Sequence, residues 1–200
     1  MKKLIDNYFK MDFEALNSID KKELSKVMCL LIDCLYKNRR IYVFGNGGSG
    51  STASHLQNDF NKALFEKTDK KFDVICLNDN IPTLLAIAND EGYDEIFRYQ
   101  LEGKIKKDDV VIAISGSGNS KNIINAVMLA KECGATVIGM TGFDGGILKT
   151  LADYNLHAKI NNMQVAEDVH LCLEHLIINT FYERFGKRKY KKLERRKDIE

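Results

Sequence analysis

Two stretches of glycine and serine are placed to hold an anion. Gly45-Asn46-Gly47-Gly48-Ser49-Gly50-Ser51 follows the apolar run Ile41–Phe44, and Ser115-Gly116-Ser117-Gly118-Asn119-Ser120 follows Val110–Ile114. A helical pattern comes after each. Both loops therefore offer free backbone N–H groups at a helix N-terminus, serine hydroxyls as further donors, and glycines that let a phosphate approach closely. One such loop reads equally well as a plain turn. Two of them, at equivalent strand-to-helix junctions, point to a phosphorylated ligand. The first loop also spells G-x-G-x-x-G at Gly45, Gly47 and Gly50. A dinucleotide site would add an acidic residue about 20 positions further on. The nearest candidate at the end of the second strand, where that acid belongs, is Asp79, 29 positions past Gly50, and a dinucleotide would leave the second loop without a role. Just beyond the first loop, His55 and Asp59 stand four apart. On a helix they share a face, an arrangement that can hold a divalent metal and that equally describes an exposed polar surface.

These groups need a scaffold, and the chain around them supplies one. Short apolar runs at Ile41–Phe44, Val74–Leu77, Val110–Ile114 and Thr136–Met140 lack alternation, as strands covered on both faces do. A weaker fifth run spans Asn155–Ile160. Helical patterns lie between them at Ser51–Leu64, Ile96–Lys104 and Ser120–Glu132, and a long one runs from Val165 to Phe185. Strand–helix alternation predicts an α/β doubly wound parallel sheet, with ligands at the carboxyl ends of its strands. Two amphipathic helices precede the first strand, one carrying Ile5, Phe9, Phe13 and Leu16, the next Leu24, Val27, Met28, Leu31 and Leu35. The organisation is thus a helical arm at 1–38, an α/β domain at 39–186 and a basic tail at 187–200.

Composition narrows the class. With 200 residues, 44% hydrophobic and 29% charged, the chain fits one globular domain and not a disordered segment. No apolar run approaches the roughly 18 residues of a membrane span, and Asp6 interrupts the N-terminus before a signal-type segment can form. The five cysteines form no C-x-x-C pair and lie in apolar runs, as reduced cysteines in a cytoplasmic protein do. Residues 187–200 carry a balance of +5, so the net charge of +2 leaves the rest of the chain at −3. A body without a basic face argues against a nucleic-acid partner.

Four segments taken together carry a resemblance. They are Gly45–Ser49 followed by His55; Asn89-Asp90-x-Gly92-Tyr93 before Phe97; Ser115–Ser120; and Thr141-Gly-x-Asp-Gly-Gly146. In this order they resemble the sugar isomerase (SIS) domain family, and within it the phosphoheptose isomerases, from about Ile41 to Phe181. The resemblance implies an aldose–ketose isomerase that converts sedoheptulose 7-phosphate to a heptose 7-phosphate for surface polysaccharide. It makes 39–186 a phosphosugar-binding domain, with the phosphate on Ser115, Gly116, Ser117 and Ser120. Asn46, Gly47, Gly48 and Ser49 line the sugar, and Asn89 and Asp90 reach its hydroxyls. Zinc or another divalent metal falls to His55, Asp59, Glu167 and His175. Asp59 and His175 take the proton-transfer roles, with Glu167 as ligand or second base. Three positions depart from the family pattern: Asp59 replaces a glutamate, Glu167 a glutamine and Gln164 an aspartate. Members of the same family also include isomerases of other phosphosugars and non-catalytic regulators that bind a partner protein such as the replication initiator.

Spacing raises one difficulty for this ligand set. Eight residues separate Glu167 from His175, about 12 Å along a straight helix at 1.5 Å per residue. Either the helix begins after Glu167, or the two come from different subunits around a shared site. Glu167 and His170 also form an i, i+3 pair that can chelate locally, Glu174 lies close by, and a polar subunit interface accounts for the segment equally well. The family resemblance implies a homotetramer with sites in clefts between subunits, and the Glu167–His175 spacing raises the question whether Asp59 and His175 meet from different chains. His157, Tyr93, Phe97 and Asn119 read as structural.

Overall fold

Strand β1 (Arg40–Gly45) buries every residue from Ile41 onward, which a strand can do only where both faces of its sheet are covered. The computed structural model describes residues 1–66, 68 and 70–185, so the basic tail lies outside the described residues. Beside β1 run β2 (Asp73–Cys76), β3 (Val110–Ser115), β4 (Thr136–Thr141) and β5 (Tyr154–His157). All neighbours are parallel, in the order β2-β1-β3-β4-β5. This is the doubly wound sheet that the apolar runs predict.

Among the described residues eight α-helices flank the sheet: α1 (Lys2–Asn17), α2 (Lys21–Lys37), α3 (Gly47–Asn58), α4 (Ile81–Asp90), α5 (Arg98–Leu101), α6 (Lys121–Glu132), α7 (Gly146–Leu151) and α8 (Met163–Phe185). Successive β1 residues divide between the two faces. Ile41 and Val43 join a core with α2, α3 and α8, while Tyr42 and Phe44 join one with α4, α5, α6 and α7. Leu24, Val27, Leu31 and Leu35 of α2 are buried in the first of these cores. α1 behaves differently. Ala15 is buried there and Tyr8, Met11 and Leu16 pack against it, but Ile5, Phe9 and Phe13 are each more than half exposed. Within one chain, most of the α1 stripe faces outward.

Some boundaries differ from the sequence reading for local reasons. α3 opens at Gly47, four residues earlier than expected, with the glycines themselves forming its first turn. α4 was not anticipated. Pro82 sits in its first turn, where a missing N–H costs nothing, and Asn80 accepts from the Thr83 amide to start it. The 96–104 segment is helical only over the short α5, with a 3-10 turn at Tyr93–Glu95 just before it. No helix among the described residues is long and apolar enough to cross a membrane.

The strand order fixes where a ligand binds. From β1 the chain crosses to β2 on one side, and β3 lies on the other, so the order reverses between β1 and β3. A crevice opens at the carboxyl ends of two such strands. Both glycine/serine loops emerge at that point.

Candidate active site

The two loops enclose a cavity of about 220 Å³, lined by Asn46, Gly47, Gly48, Ser49, Ser115, Gly116, Ser117 and Ser120, with Met163 and Glu167 of α8 on the far wall. Neither N-cap residue, Asn46 of α3 or Ser120 of α6, spends its side chain on its own helix. No side chain caps the first-turn amides of α3, and in α6 the Ile123 amide alone of the first turn donates to a side chain, Asn122 Oδ1 at 2.9 Å, an arrangement that favours an anion. Ser115 Oγ accepts from the Gly118 amide at 3.1 Å and lies 3.5 Å from Ser120 Oγ, which holds the second loop in shape. Gly118, at φ +67°, leaves no room for a side chain against the Gly145 carbonyl. Asn119 does the turn work the sequence assigns it, donating to the Ser117 carbonyl and accepting from the Ile147 amide.

The loops are tied together by a residue that the sequence reading did not single out. Buried Asn122, in the first turn of α6, exchanges two amide hydrogen bonds with Asn46, at 3.0 and 2.9 Å. Tyr93 adds a third by donating its hydroxyl to Asn46 Oδ1 at 3.0 Å. Asn46 therefore works first as a clamp between the loops, although it also borders the cavity. Asn89 and Asp90, expected at the sugar, end α4, and neither borders this cavity. Asp90 faces a separate cavity of about 440 Å³ beside Tyr99 and Gln100.

A second group of chemical side chains lies along the seam where α3 and α8 pack together. Gly48 in the first turn of α3 has no Cβ, and Glu167 occupies that space. Seven residues further along both helices, His55 meets Glu174 and His175. Equal steps on both helices mean that they run side by side in the same direction. At the end of α3, Asp59 still donates its amide to the His55 carbonyl and then opens a π-helical turn, Asp59–Ala63. The i, i+4 relation survives, and both side chains face α8.

The resulting cluster is tight. His55, Asp59, Glu174 and His175 each present a ligand-type atom, and all four atoms lie within 4.8 Å of one another. The two Nε2 atoms are 3.3 Å apart, His55 Nε2 is 3.6 Å from Asp59 Oδ2, and His175 Nε2 is 3.4 Å from Glu174 Oε2. Glu174 is fully buried, and neither of its carboxyl oxygens has a hydrogen-bond partner. Burial, with the negative charge of Asp59 behind it, pushes its carboxyl up to about 8. Two imidazoles and two carboxylates converging around an unpartnered buried oxygen pair fit a divalent cation.

Two sequence expectations change here. α8 is continuous from Met163 and carries Glu167 and His175 on one helix, so no break brings them together. Asp59 and His175 meet within a single chain. Asp59→Ala and His175→Ala proteins co-assembled into mixed oligomers should therefore recover no activity beyond the sum of the two. Recovery of a tenth or more of wild-type turnover would contradict this geometry. Glu167 is not in the cluster; Glu174 stands where a fourth ligand would. Glu174 carried a usable signal, being a charged residue directly after Leu173 on a helix whose neighbours Val169, Leu173 and Ile177 are all buried.

His170 does not pair with Glu167. It is fully buried, and its Nε2–H donates to the Thr141 carbonyl at 3.2 Å, while Nδ1 has no partner. Burial lowers its imidazole from 6.5 to about 4. The unfolded chain takes up this proton near pH 6.5 and the folded one only near 4, so stability present above 6.5 drains away as pH falls through that window. His170→Gln keeps a donor for Thr141 and cannot titrate. Its melting temperature should fall less than that of the wild type between pH 7 and 4.5; parallel curves would contradict the assignment. His157, beside it, shares a 2.9 Å hydrogen bond with Thr141 Oγ1 through its Nδ1.

A parallel sheet with paired anion loops at its switch point and a polar cluster on the adjoining helix seam defines a sugar-phosphate-handling α/β domain. Residues 7–142 match the SIS domain model. The chain is 35% identical to the phosphoheptose isomerase of Helicobacter pylori over 190 residues, covering 92% of this chain and 98% of that one. It is 36% identical to that of Aliarcobacter butzleri over 158 residues, covering 78% and 82%. The structure of phosphoheptose isomerase GmhA from Neisseria gonorrhoeae superposes with a TM-score of 0.83 at 26% identity, covering 91% of this chain and 98% of that one. The chain belongs to the SIS domain family and, within it, to the phosphoheptose isomerase family.

Proposed function

We propose that this protein is a metal-dependent isomerase that converts sedoheptulose 7-phosphate to a heptose 7-phosphate, the precursor of a surface polysaccharide, in the cytoplasm. One observation carries the reading: the anion loops and the His55–Asp59–Glu174–His175 cluster lie along one seam, two helical turns apart. In this substrate the phosphate is on the carbon farthest from the reacting pair. The clamp and the proton-transfer groups must therefore be separated in the same way.

Aldose–ketose exchange takes a proton from the carbon beside a carbonyl and returns it to the neighbouring carbon through an enediol. Ser115, Gly116, Ser117 and Ser120 grip the phosphate, which fixes the reacting carbons by binding energy spent elsewhere on the molecule. Asp59 and His175 move the proton. Glu167, opposite Gly48, borders the loop cavity and meets the sugar's hydroxyls. Gly47 and Ser49 border the room for the chain of hydroxyls, while Gly48 makes room for Glu167. A divalent ion held by His55, Asp59 and His175 would supply Lewis-acid polarisation of the carbonyl oxygen, with zinc the first candidate.

A homotetramer with sites in clefts between subunits is part of the same proposal. The outward stripe of Ile5, Phe9 and Phe13 supports it, as does the position of Asn89 and Asp90 away from the loop cavity of their own chain. The partner-binding regulator is the weaker reading, because such a protein has no use for four convergent ligand atoms. A panel of phosphosugars incubated with zinc-supplemented protein decides the substrate. Conversion of sedoheptulose 7-phosphate well above the others is expected, and conversion of a different member alone would reassign it.

A further inference from the structure

We infer that Asn122 and Tyr93 are positioning residues that lock the Asn46 amide in one orientation, so that it meets the sugar with one N–H donor and no acceptor. This rests on the phosphosugar reading above and adds the polarity of one contact to it. The orientation follows from a backbone group that cannot reverse. The Ile123 amide can only donate, and it lies 2.9 Å from Asn122 Oδ1. The opposite setting of Asn122 would press its NH2 group against that N–H. With Asn122 so set, its Nδ2 faces Asn46 Oδ1 at 2.9 Å and its Oδ1 faces Asn46 Nδ2 at 3.0 Å. Turning Asn46 over would set oxygen against oxygen and nitrogen against nitrogen.

A count of donors and acceptors gives what is left for a ligand. Asn46 Oδ1 accepts from Asn122 and from the Tyr93 hydroxyl, at 2.9 and 3.0 Å, which fills both lone pairs of an amide oxygen. One Nδ2 hydrogen goes to Asn122, and the other has no acceptor among the described residues. Asn46 is half-buried on the wall of the loop cavity. The one group it holds in reserve there is a donor, so the sugar oxygen that meets it must accept.

Both locking residues are held by α6. Asn122 is 1% exposed in the first turn of that helix. One turn further on, Asn125 donates to the Asp94 carbonyl and to Glu95 Oε1, fixing the 3-10 turn that carries Tyr93. The helix that opens behind the phosphate loop therefore also sets the polarity of the amide facing the sugar.

The test titrates two probes, sedoheptulose 7-phosphate and inorganic phosphate, into full-length wild type, Asn122→Leu and Tyr93→Phe, reading affinity from the rise in melting temperature. Leucine leaves Asn46 without its lock and brings no charge near the phosphate. Asn122→Leu should weaken the sugar phosphate at least about tenfold and Tyr93→Phe about threefold, the worth of lost hydrogen bonds. Inorganic phosphate, which does not reach Asn46, should stay within about twofold of wild type. In an Asn46→Ala background, Asn122→Leu should cost no more than about a further twofold, because it acts through Asn46. Unchanged sugar-phosphate binding in Asn122→Leu, equal loss of both probes as from a mere tie between loops, or losses that multiply in the double variant would each overturn the inference and leave the phosphosugar reading standing. A wild type that ignores the sugar phosphate overturns that reading, and the inference with it. Should Asn122→Leu not fold, Tyr93→Phe, a change on an exposed ring, decides by the same comparison of probes.

Discussion

Replacing Asp59 with asparagine should lower kcat by about a thousandfold while leaving the fold intact, because a positioned acid–base group is worth about 10²–10⁴ in rate. Asparagine keeps the volume and the helical position of Asp59, and so tests the charge and the proton alone. The side chain is largely buried at the opening of the π-helical turn, 3.6 Å from His55 Nε2. Such turns are frequent where a helix is bent to aim a functional side chain. The shorter aspartate, in place of the glutamate usual in this family, reaches the cluster because α3 carries it to the contact with α8. Turnover with saturating substrate and a melting curve check the prediction together. Activity within tenfold of wild type, from a protein that melts normally, would remove Asp59 from the proton path.

The second large effect is in the phosphate loop, where one substitution separates folding from binding. Ser120 is the N-cap of α6 but makes no capping bond with its side chain. Aspartate is among the best N-cap residues, so Ser120→Asp should leave the melting temperature unchanged or raise it. It also sets a carboxylate beside Ser115 and Ser117, where the dianionic phosphate must sit. Like charges held this close cost several kcal/mol, so KM should rise about 100-fold or more. A merely structural Ser120 would give the opposite pairing: altered stability and an unchanged KM.

How much of this was legible in the chain depends on how local each feature is. The two loops were readable because a strand, its glycine/serine turn and the next helix lie within about a dozen residues, so Gly45–Ser51 and Ser115–Ser120 announce their own geometry. The strands were readable for the same reason, being apolar without alternation. α4 was hidden because Pro82 reads as a breaker until Asn80 is recognised as its cap. The cluster was only half legible. His55 and Asp59 are four apart and declare a shared face, but their partners depend on how α8 slides against α3, and sequence spacing does not contain that register. A single packing choice, Glu167 into the gap over Gly48, sets it and brings Glu174 to His55 one heptad later. Asn122 was invisible for a similar reason, since its pairing with Asn46 bridges 76 positions of sequence.

One reaction tests the metal-dependent isomerase most directly. Chelator-stripped protein, and the same protein after zinc is restored, are each given sedoheptulose 7-phosphate, and the sugars are followed by NMR. The stripped protein should be inert, and zinc should restore steady formation of a heptose 7-phosphate. Sedoheptulose 7-phosphate left unchanged by the zinc-loaded protein, or converted equally well without the metal, would contradict it.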